Sequence, residues 1–162
     1  MRILITGGAG YIGSVLTQFL LENNYEVRVM DSLMYGGKSL LPVWSHKKFD
    51  FIKGDICKKE DVQTALTGID SVVHLACIVG DPACAKQPDL AKRINLEGSI
   101  NLFEYSKKNN INKFIFASTC SNYGKMKNPD LYMDETSELA LVSLYAKMKV
   151  DFEKIKASME KL

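Results

Sequence analysis

Cysteine, histidine and proline are scarce in this chain of 162 residues, which has four, two and four of them. Cys57, Cys77, Cys84 and Cys120 form no C-x-x-C pair and no cluster with His46 or His74. That spacing argues against a structural zinc site and against a disulfide framework, and leaves reduced thiols in a cytoplasmic protein as the expectation. Long hydrophobic runs are lacking too: no stretch reaches the ~18 apolar residues of a membrane span. Met1–Ile5 runs straight into glycines, without the form of a signal peptide. An excess of one charge is also missing. Lys+Arg total 21 against 19 Asp+Glu, a formal net charge of +2, with no basic block to attract nucleic acid or an anionic membrane. What is present, 46% hydrophobic and 25% charged residues, is the make-up of an ordinary globular domain. The length suggests one domain, burying roughly 70% of the surface its unfolded chain exposes.

Apolar runs and helical periodicities alternate along the chain. Arg2–Thr6 (RILIT), Tyr25–Met30 (YEVRVM), Phe49–Lys53, Ser71–Ala76 (SVVHLA) and Lys113–Ala117 (KFIFA) read as buried strands. Tyr11–Glu22 carries Ile12, Val15, Leu16, Phe19 and Leu20 at helical spacing, and Lys58–Leu66 reads as a charged helix stopped near Gly68. Pro82 and Pro88 predict an irregular stretch. A helix is predicted from Asp89 to Lys108, then a long loop through Pro129 after the fifth strand, then a last helix from about Leu141. That helix places Tyr145, Met148, Phe152, Ile155, Met159 and Leu162 on one stripe for packing against the sheet, while Lys147 and Lys154 read as solvated. Strands alternating with helices predict an α/β fold, a Rossmann-type doubly wound parallel sheet in the order 3-2-1-4-5 with helices on both faces.

Between strand one and helix one lies Thr6-Gly7-Gly8-Ala9-Gly10-Tyr11-Ile12-Gly13, which satisfies G-x-G-x-x-G and G-x-x-G-x-x-G in two registers. Such a turn lets a pyrophosphate approach where no Cβ intervenes and meet the free N–H groups of the helix start. The pattern alone is weak; a strand before it, a helix after it and an acid at the end of strand two strengthen it. Asp31 lies 18 residues past Gly13. A carboxylate there accepts adenosine ribose hydroxyls and repels a 2′-phosphate, and no arginine adjoins it, since Ser32 and Leu33 follow. These features point to NAD rather than NADP.

Tyr145 and Lys149 stand at i and i+4, on one helical face. An ammonium beside a phenol stabilises the phenolate, so the tyrosine pKa is expected to fall towards neutrality. The pair occurs by chance on many helices and gains weight from following strand five, with Ser118–Gly124 (STCSNYG) at that strand's carboxyl end.

TGGAGYIGS (Thr6–Ser14), DSLMYGG (Asp31–Gly37), GDI (Gly54–Ile56), HLA (His74–Ala76), Asn95 within RINLEGS, STCSNYG and YAKMK occur in that order. Together they resemble the extended short-chain dehydrogenase/reductases, specifically the NAD-dependent nucleotide-sugar epimerase/dehydratase group, over essentially the whole chain. The resemblance implies that Tyr145 is the general base and acid. Lys149 would hold the nicotinamide ribose and lower the tyrosine pKa, and Thr119 would hydrogen-bond the sugar hydroxyl being oxidised. It implies adenine contacts from Asp55 and Ile56, a nicotinamide side lined by Ala76 and Cys77, and support from Asn95. It also places Gly7, Gly10, Tyr11, Ile12, Gly13, Asp31, Ser32, Leu33, Leu75 and Ala117 against the cofactor.

Three departures qualify the resemblance. Dehydratases of the group carry an acid pair after the threonine; Cys120 and Ser121 stand there, which disfavours dehydration. Leu144 precedes the tyrosine where relatives often have proline. Cys120 invites a nucleophile reading, but no histidine is near it in sequence, so a packed thiol is expected. The group also continues past the Tyr-Lys helix into a lobe that binds the nucleotide-sugar, so residues 1–162 read as the NAD-binding domain without that lobe. The implied function is that of the NAD-binding part of an epimerase-type enzyme, expected to be inactive in isolation. A sugar-nucleotide reductase or dehydrogenase, and a non-catalytic dinucleotide-binding module or split half, remain open. A second copy or a C-terminal partner segment is expected to cover exposed apolar surface.

Overall fold

The computed structural model describes residues 1–124 and 132–160. Five strands, β1 (Arg2–Thr6), β2 (Glu26–Asp31), β3 (Phe49–Lys53), β4 (Ser71–His74) and β5 (Lys113–Phe116), form one sheet. Its order is β3-β2-β1-β4-β5, all parallel, with Ile5 level with Val29 on one side and Val73 on the other. The expected order and class are therefore observed. Strand β2 runs one residue further than expected and ends on Asp31, so the acid leaves the sheet at its carboxyl edge.

Helices α2 (Lys59–Leu66), α5 (Ser99–Lys108) and α6 (Leu144–Glu160) cover one face. Leu4, Met30, Val62, Leu66, Val72 and Leu102 fill that layer, and Phe152 of α6 packs its ring 4.5 Å from that of Phe116. Helix α1 (Tyr11–Glu22) and a 3₁₀ turn over Lys38–Val43 cover the other face above Ile3, Ile5, Val27 and Val29.

The structure corrects the sequence reading in three places. Pro82 and Pro88 do not keep their stretch irregular. They stand in the first turns of α3 (Asp81–Lys86) and α4 (Pro88–Lys92), where a helix has no partner for the missing N–H. The helix expected from Asp89 to Lys108 is continuous but contains a π-helical turn over Arg93–Gly98. Helix α1 divides its expected apolar stripe: Leu16 and Leu20 pack against the sheet, whereas Ile12, Val15 and Phe19 are 65%, 63% and 59% exposed and the fully buried positions are Gly13, Thr17 and Leu21. Small residues face inward because the helix lies so close to the loop that a Cβ on Gly13 would come within 2.5 Å of the Gly7 carbonyl oxygen. Of the α6 stripe, Tyr145, Met148 and Phe152 are buried and Ile155 and Met159 half-buried; Leu162 and the loop around Pro129 lie outside the described residues. Lys147 and Lys154 are exposed. Among the described residues no helix is long and apolar enough to cross a membrane.

Arg28 joins the layers. It pairs with Asp50 at 2.7 Å and donates to the carbonyls of Ala65 (3.0 Å) and Thr67 (2.9 Å), which close the end of α2. Arg28→Met removes charge-assisted bonds to groups with few other donors, a loss of about 2 kcal/mol. The melting temperature is expected to fall by roughly 4–8 °C, and calorimetry showing an unchanged melting point would contradict the assignment.

Candidate functional site

Strands β1, β2 and β4 end at one edge, and the loops that leave them enclose a cavity of about 820 Å³, within the range of small-molecule sites. Gly7 follows β1 at φ +73°, and its N–H donates to the Met30 carbonyl. A Cβ there would meet the Ala76 nitrogen at 2.6 Å, so the turn passes directly against the β4 exit. The first helical bond of α1 runs from Ser14 N–H to the Gly10 oxygen. The cap residue Gly10 offers no side chain to the N–H groups of that first turn, which suits them to an anion.

Asp31 ties the rim together. One carboxylate oxygen accepts from Ala9 N–H at 3.0 Å and the other from Leu33 N–H at 2.8 Å, while its own carbonyl accepts from Gly54 N–H. Each oxygen keeps a lone pair for a further donor. Asp55 accepts from Cys57 N–H at 2.9 Å and lines the cavity with Ile56.

At the other end stand Tyr145 and Lys149. Lys149 is 2% exposed, donates to the Ala117 carbonyl at 2.7 Å and rests over the Phe116 ring. Burial holds its pKa below the usual lysine value. The expected lowering of the Tyr145 pKa is not found. Burial, followed by the neighbouring Cys77, pushes it up to about 12, with the Thr119 hydroxyl acting the other way. The ammonium lies 5.7 Å from the phenol ring centroid and donates to the Ala117 carbonyl, so it does not offset desolvation.

Of the residues singled out from the sequence, Gly7, Gly10, Tyr11, Ile12, Gly13, Asp31, Ser32, Asp55, Ile56, Leu75, Ala76, Cys77, Ala117, Tyr145 and Lys149 all line this cavity. Three do not. Leu33 offers its backbone to Asp31 and turns its side chain to Gly37. Asn95 is buried and spends its amide on Ile78, accepting from its N–H at 2.7 Å and donating to its carbonyl at 2.9 Å. Thr119 caps the 3₁₀ turn Cys120–Tyr123, accepting from Ser121 N–H. Cys120 is exposed rather than packed, at the start of the turn that follows the edge strand β5. Sequence reasoning passed over Met34, Tyr35, Gly54 and Ser118, which also line the cavity. The first three fall inside the DSLMYGG and GDI segments and Ser118 precedes Thr119, so proximity to those segments was the available signal.

Behind the site His74 is fully buried. Ser99 gives its proton to the Asn95 carbonyl, so it accepts from His74 Nε2, and Nδ1 accepts from Thr6 at 2.6 Å. This neutral ring is fully paired. Burial, with Lys149 adding to it, pushes its pKa down to about 3. An unfolded chain binds a proton near pH 6.5 that the native ring refuses. The associated stability is therefore present above pH 6.5 and lost as pH falls towards 3, by about 1 kcal/mol per pH unit. Urea unfolding between pH 6.5 and 5 is expected to show that slope, and a His74→Asn variant a flatter one; equal slopes would contradict it.

A family model described as "NAD dependent epimerase/dehydratase family" matches residues 3–161. The chain is 36% identical over 118 residues to a putative UDP-glucose 4-epimerase of Methanocaldococcus jannaschii, covering 72% of this chain and 37% of that one. It is 32% identical over 157 residues to a dTDP-glucose 4,6-dehydratase of Streptomyces niveus, covering 92% and 46%. The crystal structure of Thermus thermophilus UDP-glucose 4-epimerase in complex with NAD superposes with a TM-score of 0.90 at 32% identity, over 99% of this chain and 51% of that one. The chain thus spans about half the length of these proteins or less.

Proposed function

Because the chain belongs to the NAD-dependent epimerase/dehydratase family, we propose that residues 1–162 are the NAD-binding domain of a nucleotide-sugar epimerase-type enzyme. The substrate-binding lobe would come from further polypeptide. The observation that carries this reading is a single cavity running from the Gly7–Gly13 turn and Asp31 at one end to Tyr145 and Lys149 at the other. The residues present fit the cofactor. The α1 start suits the pyrophosphate, the spare lone pairs of Asp31 the adenosine ribose, Asp55 and Ile56 the adenine, and Ala76, Cys77 and Ala117 the nicotinamide side.

NAD supplies a hydride acceptor, so a sugar hydroxyl that loses a proton can be oxidised and later reduced again. The chain's part is the proton. Burial pushes the Tyr145 pKa up to about 12, so the phenol holds its proton near neutral pH and serves as base only once it has given that proton up. Lys149 is the cation placed to stabilise that phenolate, on exchanging its bond to the Ala117 carbonyl for contacts nearer the ring. Thr119, next to the cavity-lining Ser118, would hydrogen-bond the sugar hydroxyl being oxidised. With Cys120 and Ser121 following Thr119 in place of acids, the reading favours epimerisation or simple redox chemistry over dehydration. Ile12, Val15 and Phe19, with Ile115 on the same face of the sheet, form an exposed apolar flank that the additional polypeptide would cover.

Titration calorimetry is the test. NAD⁺ is expected to bind at least about tenfold more tightly than NADP⁺, since a 2′-phosphate would have to be desolvated beside the Asp31 carboxylate. Tighter binding of NADP⁺, or no binding of either, would overturn the reading.

A further inference from the structure

Proton transfer at Tyr145 makes no use of His74. Its ring packs among Phe114, Phe116 and Phe152, where an apolar side chain would need no polar partner. Instead it forms the middle of a hydrogen-bonded column. Thr6 Oγ1 donates to Nδ1 at 2.6 Å, Nε2 donates to Ser99 Oγ at 2.8 Å, and that hydroxyl donates to the Asn95 carbonyl at 2.8 Å. The Asn95 amide then grips both backbone groups of Ile78, at 2.7 and 2.9 Å. Thr6, His74, Ser99 and Asn95 are each at most 1% exposed. A fully satisfied buried network of this kind fixes one arrangement of the elements it joins.

Both ends of the column reach the cavity. Thr6 is the last residue of β1, and Gly7 follows at φ +73° with its turn pressed against Ala76. Ile78 lines the same cavity and packs with Tyr145. Asn95 and the residues up to Gly98 lie in the π-helical turn, a rare geometry concentrated at functional sites.

We propose that His74 is a positioning residue for a bound dinucleotide. It holds the glycine turn through Thr6 and the Ile78 segment through Ser99 and Asn95, so the two ends of the ligand meet walls at a fixed separation. The inference rests on the reading that NAD fills this cavity. A ligand gripped at two places gains from both only when their spacing matches it. Loosening the Ile78 wall therefore costs affinity for NAD⁺ and spares ADP-ribose, which carries the adenosine and the pyrophosphate without the nicotinamide. Loosening Thr6 costs both ligands. A side chain that served stability alone would not separate them.

The test uses the 162-residue chain with Thr6→Val, Ser99→Ala and His74→Asn. The asparagine oxygen can replace Nδ1 as an acceptor for Thr6, while the donor to Ser99 is lost. Thermal melts establish that each variant is folded, and calorimetry measures both ligands. Ser99→Ala and His74→Asn are expected to weaken NAD⁺ about tenfold and to leave ADP-ribose within about twofold. Thr6→Val is expected to weaken both about tenfold, and Thr6→Ser, which keeps the hydroxyl, to bind like the parent. Combining His74→Asn with Ser99→Ala should cost no more than either alone, since they cut the same bond. Hydrogen exchange adds a readout without ligand. The Ile78 amide, which donates to Asn95, is expected to exchange at least about tenfold faster in Ser99→Ala and His74→Asn, beyond any change at Val72 in mid-β4. Equal losses for NAD⁺ and ADP-ribose in these two variants, unchanged NAD⁺ affinity, or an unchanged Ile78 rate would overturn the inference. Failure of the parent chain to bind NAD⁺ would instead overturn the proposed function, while the Ile78 rates would still decide whether His74 holds that segment.

Discussion

Gly10→Val is expected to leave the melting temperature within a few degrees of the parent and to cost at least about a hundredfold in NAD affinity, ~3 kcal/mol. The backbone of Gly10 has φ −75° and ψ 177°, a conformation open to any residue. Within 4 Å of a Cβ built there lies one atom, the Gly7 oxygen at 3.2 Å, which must give by a few tenths of an ångström. The protein's own packing therefore barely requires glycine here, whereas a pyrophosphate against the first turn of α1 requires its absence of side chain. Gly13→Val provides the contrast. Its Cβ would fall 2.5 Å from the Gly7 oxygen and 2.6 Å from the Gly8 Cα, backbone atoms that cannot swing aside. Destabilisation at the upper end of the usual ~1–3 kcal/mol for overpacking is expected. Calorimetry with a parallel thermal melt separates the two cases. Micromolar NAD binding retained by a well-folded Gly10→Val protein would show that the pyrophosphate lies elsewhere.

The second large effect concerns turnover. Tyr145, Lys149 and Thr119 lie on one side of the reacting sugar in the proposed arrangement, and residues 1–162 contribute about half of the length of the solved relatives. Without groups on the far side the sugar carbon is not held against the nicotinamide, and such positioning lowers barriers by ~7–11 kcal/mol. Residues 1–162 alone, saturated with NAD⁺, are therefore expected to turn over UDP- and GDP-sugars many orders of magnitude more slowly than the same residues supplied with a complementary C-terminal segment. A steady-state assay of both preparations decides it, and robust epimerase or dehydrogenase turnover by the isolated chain would refute it.

The strands were legible in the sequence because each is a short apolar run ended by glycine or a polar residue, and a parallel sheet buried on both faces demands such runs. The glycine turn and Asp31 were legible for a similar reason: their geometry is local, set within one β-α-β unit. Three features were not, and each depends on contacts far along the chain. The outward turn of Ile12, Val15 and Phe19 follows from how closely α1 approaches Gly7 and Gly8, which helical periodicity does not encode. The raised pKa of Tyr145 depends on burial among Ile78, Cys84 and Ala91, all more than fifty positions away, with Cys84 in the stretch between Pro82 and Pro88 that the prolines made look irregular. The Lys149 ammonium goes to Ala117, thirty-two positions away, rather than to its neighbour one turn back.

Besides offering lone pairs to a ribose, the Asp31 carboxylate fastens Ala9 to Leu33 through bonds made wholly within the chain, while its carbonyl secures Gly54. Three loops from three strands are thereby immobilised before any ligand arrives. Fixing a backbone residue costs about 1–2 kcal/mol, and here that loss is incurred when the chain folds rather than when a molecule docks. A newcomer meets a finished cradle, so diffusion and desolvation, not rearrangement, set how fast it enters. The heat-capacity change on association should accordingly be small, without the large signature of segments that fold as they bind.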